Sequence, residues 1–531
     1  MVDGSSQVFK QMSPAEFFYN NRSMAGFDNQ SRAVYTVVRE LVENSLDACD
    51  AHGIQPVVYV SISPKSGDEL EILVADNGQG VPPRYIADSF GRVFFGSKYS
   101  VKQNRGTFGL GGKMAILYGQ LSTGEPVDVA TSIGTDLFKV KLSIDVKRNQ
   151  PVVHEKSTEH NSRGFRGTTI RLRFKGDYVS ARSRVFRYLR MTRIALPYAT
   201  LIFSDPEGTV FLAPALTDKL PQPPRETPPH PYGVDIVKVK EMIQASKREL
   251  TVLKFLMKFS RIGYDTATKF VQYLNLDPNM RVRRLADDDI KRMVEGFRTY
   301  RFLPPDGSAL SPLGEETIAT GLKSEYQPEY VSVTTRPPSA YEGFSFIIEA
   351  AVAYGGNVPQ PSSGEEIRLL RFANKIPLIY DSSNDVAMHV LLEDVDWHTY
   401  KIDPKVDPVL FFVHIAASKV PFKTAGKEYV ADREEVRREM KLAFRECSRE
   451  LKVYLSRKIH AQHAHQRTEK MSQYLALLAK YSSALSEQKP IPMTRLSKML
   501  SDGLVEDEDG KAEAEQESTM EAVEAIPDAQ T

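Results

Sequence analysis

The sequence predicts a multidomain α+β protein, and three observations carry that prediction. At 531 residues the chain is too long for one compact core and has room for about three domains. Helical and strand-like periods alternate irregularly through the first 220 residues, unlike the regular repeat of a parallel α/β sheet. Two proline-rich boundaries, PQPPRETPPHP at 221–231 and RFLPPDGSALSPLG from 301, bracket a stretch with almost no strand signal. With 41% hydrophobic and 26% charged residues, the chain is not mostly disordered. No window approaches the ~20 uncharged apolar residues of a membrane span, and the N-terminal stretch MVDGSSQVFKQMSPAEFF lacks the pattern of a secretory signal. Cys49 and Cys447 cannot make a disulfide framework or a four-cysteine zinc site, so a reducing, cytoplasmic compartment is expected.

Taken in order, residues 1–30 lack a clear period and read as an arm. Val34, Val37, Val38, Leu41, Val42 and Leu46 recur every three or four positions, which predicts a helix over 31–51. PVVYVSIS (56–63) and ELEILVAD (69–76) alternate as strands, glycine-rich punctuation runs from Gly78 to Gly112, and MAILYGQ continues as helix. Further strands are expected at 138–145, 168–174 and 198–205. Residues 235–300 carry several helical periods, and 330–430 return to a β-rich pattern. From Arg433 to about Tyr481 the chain is free of Pro and Gly and predicts one long helix. From Val505 onward there are ten acidic residues and one lysine, a charge of −9, which leaves about +10 for the remainder of a chain whose total is +1. That tail has little to bury and is expected to be disordered.

Four short motifs in the first 170 residues carry the chemistry. In RELVENSLDA (39–48), Glu40, Asn44 and Asp47 lie at i, i+4 and i+7, so they share one helix face, with Glu43 beside them. Alone, that is an ordinary solvated stripe. In DNGQG (76–80), Asp76 ends a strand and Gly78 and Gly80 follow; a carboxylate there can accept a hydrogen bond from a ligand amino group while the glycines let a flat base approach. In RGTFGLGGKMA (105–115), Gly106, Gly109, Leu110, Gly111, Gly112 and Lys113 lead into a helix whose free N–H groups suit phosphate oxygens. The fourth, RGFRGTTI (163–170), brings Gly167 and Thr168 to the start of a strand. Neither G-x-G-x-x-G nor G-x-x-x-x-G-K-[ST] occurs, which removes the dinucleotide and P-loop readings.

Singly these motifs are turns and loops, but their order resembles the ATP-binding domain of the GHKL superfamily. SPAEFFYNN, AGF, RELVENSLDA, FGRVFFGSKY, PHPYGVD, ANKIPLIYD and PFKTAGKE sharpen the likeness: from about residue 10 to 470 the chain resembles the B subunits of the archaeal DNA topoisomerase VI family. The resemblance implies an N-terminal arm (1–30), a GHKL (Bergerat) ATP-binding α/β sandwich (31–228) and a small all-helical helix-two-turns-helix insert (229–306). It further implies an α/β transducer resembling ribosomal S5 domain 2 (307–432), a long C-terminal helix with a docking region for the topoisomerase VI A subunit (433–504) and an acidic tail (505–531).

The same resemblance implies roles. Glu40 would be the general base, Asn44 the Mg²⁺ ligand, and Asp76 with Thr168 the adenine contact; Asp47, Gly78, Gly80, Ser97, Lys98, Gly106 and Gly167 would complete the ATP site around the phosphate loop. Lys427 would reach over from the transducer to the γ-phosphate. DNA contacts are expected at Arg281, Arg283 and Arg284, and at Trp397 and Tyr400, where the family's Trp-Lys-x-Tyr motif reads Trp-His-Thr-Tyr and has lost its lysine. Arg182, Arg184, Arg187, Arg190 and Arg193 form another basic run. Implied partners are the topoisomerase VI A subunit in an A2B2 heterotetramer, a second copy joined on ATP binding, and double-stranded DNA at the nucleoid, with no membrane. The expected activity is ATP-driven passage of one duplex through a break made by the A subunit, relaxing supercoils and decatenating DNA. A chaperone-like ATPase would lack the helical insert, and a purely structural partner would have no need of Glu40, Asn44 and Lys427.

Overall fold

In the computed structural model, which describes residues 12–96, 102–106, 109–360, 367–423 and 426–486, the chain begins with helix α1 (Pro14–Asn20). Ser13 caps it: its Oγ accepts from the Glu16 N–H and donates to the Val146 carbonyl at 2.5 Å. Ala15 is buried, and the Phe27 ring stacks on Tyr118 at 4.9 Å. From residue 12 the stretch read as an arm is therefore packed on its own chain, and its short helix is too brief to show a period.

Helix α2 (Gln30–Asp50), capped by the Asn29 side chain, buries the apolar face its period predicts. It lies against β1 (Val57–Pro64) and β2 (Glu69–Asp76), where Val58, Val60, Ile62, Leu70, Ile72 and Val74 alternate inward. The short helix α3 (Ile86–Gly91) and α4 (Gly111–Thr123) follow, then β3 (Val127–Ser132), β4 (Asp136–Asp145), β5 (Gln150–His160) and β6 (Gly167–Lys175). Helix α5 (Tyr178–Ala195), β7 (Thr200–Ser204) and β8 (Val210–Ala213) complete an eight-stranded mixed sheet in the order β5-β4-β3-β6-β2-β1-β7-β8. Among the described residues its only parallel pair is β1 with β7. Strands β3, β5 and β8 escaped the sequence pattern. β5 is an edge strand with nearly every residue exposed, so it has no apolar alternation to read.

Between the proline-rich boundaries, α6 (Ile236–Gln244), α7 (Val252–Leu256), α8 (Tyr264–Tyr273) and α9 (Asp287–Thr299) enclose their own core, in which Phe270 stacks on Phe297 at 5.3 Å. Helix α10 (Glu315–Tyr326) leads into β9 (Tyr330–Thr335), β10 (Ser339–Tyr341), β11 (Phe344–Tyr354), β12 (Leu369–Ala373) and β13 (Ile376–Pro377). After α11 (Val386–His389), β14 (Val409–Ala417) closes a six-stranded sheet in the order β10-β11-β14-β12-β13, with β9 on β11. β11 and β14 are buried almost throughout, which is why they read as unbroken apolar runs. Helix α12 (Glu434–Ser486) begins by burying Val436, Met440, Phe444, Cys447 and Leu451. The chain divides into two units, 1–452 and 453–531. In the second, Met471, Tyr474, Leu478, Tyr481 and Leu485 are exposed on α12 at spacings of three and four.

Candidate functional site

The polar stripe of α2 is not a solvated face. Glu40 and Glu43 are buried, and Asn44 and Asp47 are half-buried. Arg39 on the same helix donates to Glu40 Oε1 at 2.6 Å, and its Nε lies 3.6 Å from Glu43 Oε1. Neither atom makes a hydrogen bond, so the two face each other as a buried ion pair. Burial, reinforced by the Glu40 and Asp47 carboxylates, raises the pKa of Glu43 despite the nearby cations.

The start of α4 is built around these side chains. A Cβ on Gly111 would fall on the Glu40 carboxylate, and one on Gly112 would come within 2.6 Å of Asn44 Nδ2. The two glycines thus let the first turn of α4 close over α2. Lys113 does not point outward: its Nζ donates to the carbonyls of Phe95 and, at 3.0 Å, Gly109, bracing the loop from behind. Gly109 has φ +57, a left-handed turn that suits glycine.

Asp76 stands at the other end of the cavity, where β2 finishes. One of its carboxylate oxygens accepts from the Gly78 N–H at 3.0 Å and the Thr168 N–H at 3.1 Å. Gly80 and Gly167 have φ +77 and +130 and press against the backbone of Ser132 and Asp76, leaving no room for a side chain. Thr131 Oγ1 joins the group, 3.2 Å from Thr168 Oγ1. Burial raises the Asp76 pKa, only partly offset by its hydrogen bonds from Gly78, Ser45 and Thr168.

A cavity of about 1430 Å³ joins these parts, lined by Asn44, Asp76, Gly109, Gly112, Lys113 and Thr168. The volume accommodates a nucleoside triphosphate. Lys427, 384 residues from Glu43, donates to its Oε2 at 3.3 Å and lies near Gly106, whose Cβ would be 3.8 Å from Nζ. Burial works against the charge of Lys427, but Glu43 and Glu40 outweigh it and raise its pKa. Arg39 donates to the neighbouring Gly426 carbonyl at 3.2 Å, and Arg32 pairs with Glu428. Asp47 pairs instead with Arg105 at 2.9 Å, on the flank of the cavity. Ser97 and Lys98 lie outside the described residues.

Sequence reasoning missed Arg39, Glu43 as the partner of Lys427, Arg105 and Lys375. A charged residue on a helix gives no sequence signal of burial, so only Glu43, one turn from Glu40, was within reach. Among the described residues no three His, Cys, Asp or Glu side chains could together hold a metal. The amide oxygen of Asn44, which lines the cavity, is a donor that would fit Mg²⁺, an ion that takes few protein ligands and completes its shell with water and ligand oxygens.

Residues 29–177 match the family described as histidine kinase-, DNA gyrase B-, and HSP90-like ATPase, and residues 305–467 match the topoisomerase VI B subunit transducer. The B subunit of type 2 DNA topoisomerase 6 from Metallosphaera sedula is 43% identical over 482 residues, 90% of each chain. That of Saccharolobus solfataricus is 43% identical over 488 residues, 91% of each. The chain belongs to the family of type 2 DNA topoisomerase 6 B subunits.

As a member of the topoisomerase VI B-subunit family, the chain is the ATP-hydrolysing subunit of a type II topoisomerase, and ATP is the nucleotide its GHKL domain binds. Its fold combines the eight-stranded GHKL sheet with a transducer carrying the long helix. The B-subunit of the DNA gyrase from Myxococcus xanthus overlaps 82% of the chain and 95% of its own at 11% identity, with a TM-score of 0.42.

The residues expected to touch DNA stand apart from this site. Arg281 pairs with exposed Glu249 at 2.9 Å, and Arg283 donates to the carbonyls of Gln244 and Ser246 at 2.8 and 2.7 Å. Arg284 is exposed. Trp397 donates to the Leu391 carbonyl at 2.8 Å and packs on Phe411 at 4.8 Å, while Tyr400 is buried. Both aromatic rings serve the transducer core, which removes Tyr400 from any surface contact in this conformation. In the other basic run, Arg182, Arg184 and Arg193 bond to Asp205, Ser31 and Glu325 respectively.

Proposed function

We propose that the chain is an ATP-driven clamp whose closure gates the passage of one DNA duplex through a double-strand break made by the topoisomerase VI A subunit. Two copies join when ATP is bound, within an A2B2 complex at the nucleoid, and the result is supercoil relaxation and decatenation. One observation carries the reading: a lysine of the transducer, Lys427, bonds to Glu43 on the polar stripe of α2 and lies beside Gly106 of the glycine loop. A cation that reaches a site from a second domain can couple the presence of a phosphate there to movement between domains.

In this reading Glu40 orients and deprotonates the attacking water, because it is the carboxylate against which Gly111 closes. Asn44 supplies an amide oxygen to Mg²⁺, which when bound shields the phosphate charges. The N–H groups of Gly109, Leu110, Gly111 and Gly112 take phosphate oxygens, and Gly106, Ser97 and Lys98 serve the same end. Lys113 holds the loop in shape. Asp76 accepts the adenine amino group beside Thr168, with Gly78, Gly80 and Gly167 giving the base room. Asp47 acts from the flank through Arg105, and Lys427 contacts the γ-phosphate.

The domain limits proposed are 1–30, 31–228, 229–306, 307–432, 433–504 and 505–531. The helices of the third segment form a helix-two-turns-helix module, and the transducer has the character of ribosomal S5 domain 2. Arg281, Arg283 and Arg284 are exposed, and phosphate contact by them would be salt-dependent and blind to sequence. The apolar stripe on α12 from Met471 to Leu485 is the docking surface for the A subunit. Native co-purification from the source cells tests the whole reading. A stoichiometric companion that cleaves DNA only with this chain and ATP supports it, and a chain that purifies alone removes the duplex-passage mechanism.

A further inference from the structure

Lys375 sits in the turn between β12 and β13, where it and Asn374 both adopt left-handed backbone, with φ +69 and +47. Lysine is an uncommon choice for such a position, and this one is buried. Its Nζ donates to Asp50 Oδ2 at 3.2 Å, at the end of α2. The same oxygen accepts from Arg105 NH2 at 2.8 Å, while Arg105 NH1 reaches Asp47 at 2.9 Å. Asn374 Nδ2 donates to the Asn104 carbonyl at 2.9 Å. Gln103 exchanges two hydrogen bonds with the Ser311 backbone, at 3.0 and 2.7 Å. Gln103 and Asn104 are therefore tied to segments that belong with the second sheet, and Arg105 shares the Asp50 carboxylate with Lys375.

Those segments are also joined to one another. The Lys375 N–H donates to His414 Nε2 at 3.0 Å, so the proton of the neutral ring is on Nδ1, which lies 2.7 Å from Glu349 Oε2. The Glu349 carboxylate accepts from the N–H groups of Leu313 and Gly314, two and three residues after Ser311, at 2.8 and 2.6 Å. Glu349 and His414 are wholly inaccessible. The contacts form a closed ring that begins at Gln103 and returns at Arg105. Gly106, beside Lys427, is the next residue along, and the phosphate loop follows.

We propose that Lys375 is a positioning residue for ATP hydrolysis, holding the root of the loop that carries Gly106 to Gly112 through Asp50 and Arg105. The inference rests on reading this cavity as the ATP site. Asp50, Arg105, Asn374 and Lys375 line one wall of the same cavity, and the ring makes no hydrogen bond to Asp76 or Thr168, so its loss should disturb the phosphate loop more than the adenine end. It also gives the transducer a second hold on the ATPase domain, beside that of Lys427.

The test is steady-state ATP hydrolysis by the full chain. Lys375→Met keeps the stem and removes the charge; kcat should fall about tenfold or more while KM for ATP stays within about twofold. Gln103→Ala, at the other end of the ring, should do the same, and the double variant should be no worse than the weaker single one. A folded Lys375→Met with unchanged kcat, or losses that multiply, overturns the proposal. If Lys375→Met does not fold, Gln103→Ala and Asn374→Gly, which tolerates the left-handed backbone, decide by the same criterion. Asp76→Asn separates the two readings. Wild-type ATP affinity in that variant overturns the ATP site and this inference together, whereas weakened affinity there beside unchanged kcat in the ring variants overturns only the inference.

Discussion

Lys427 Nζ lies 3.3 Å from Glu43 Oε2, and the two residues are 384 positions apart in the chain. Both side chains are largely buried, so neither can lose its partner at no cost. Removing the lysine leaves Glu43 beside Glu40 with only Arg39 to compensate. Lys427→Ala should lower stability by about 1–3 kcal/mol, less than the ~3–5 kcal/mol of breaking an isolated buried pair because Arg39 remains. It should also reduce ATP turnover by about 10²-fold. Thermal unfolding and a phosphate-release assay read the two effects separately.

Glu40→Ala should leave ATP binding and ATP-dependent dimerisation intact while turnover falls by ~10²-fold or more, the scale for losing a general base. Nucleotide binding by calorimetry together with hydrolysis rates checks it; unchanged turnover would remove Glu40 from the mechanism.

Gly111→Ala makes an independent test of the same geometry. The added methyl would occupy the position of the Glu40 carboxylate, so one of the two must move. Turnover should drop by ~10–10²-fold, and adding Glu40→Ala should bring little further loss, because both act on one group. Multiplying losses would show that the glycine serves something else.

Asp76 has a raised pKa because it is buried, so the fold bears a cost for its ionised form at neutral pH. Asp76→Asn should therefore hold or raise the melting temperature while weakening ATP binding by about 1.5–3 kcal/mol, the worth of a hydrogen bond to a charged group. In the wild type, ATP affinity should decline as pH falls through this raised pKa, in a window above the ordinary value of 3.8, since the protonated acid loses the acceptor. The linkage sign for stability is opposite: the group binds its proton more tightly folded than unfolded, so acidification through the same window favours the folded state at this residue.

Arg283 and Arg284 are adjacent and should behave differently. Arg283→Ala breaks two bonds to the carbonyls of Gln244 and Ser246 and should destabilise the helical segment by about 1 kcal/mol. Arg284→Ala should change stability by less than about 0.5 kcal/mol and lower DNA affinity uniformly across sequences, with a shallower salt dependence. Unfolding curves and salt-titrated binding distinguish the two.

Much of this was legible without coordinates. The period of Val34, Val37, Val38, Leu41, Val42 and Leu46 determined α2 and its buried face, because a 3.6-residue repeat of apolar side chains has one stable solution against a sheet. The unbroken run after Arg433 determined α12, and the glycines at 109, 111 and 112 determined that something must approach a helix start closely. The order of the four motifs carried the resemblance to the GHKL ATP-binding domain, the family that residues 29–177 match.

Tertiary structure alone decided the partners. No local pattern joins Lys427 to Glu43, Lys375 to Asp50 or His414 to Glu349, since each pair is brought together by the packing of distant segments and sequence periodicity is a local quantity. Burial decided the rest: Glu40 and Glu43 read as a wet stripe until α4 closes over them, and Tyr400 reads as a surface aromatic until the transducer core encloses it. Edge strand β5 was invisible for the complementary reason: exposed on both faces, it is specified by hydrogen bonds to β4 rather than by its side chains.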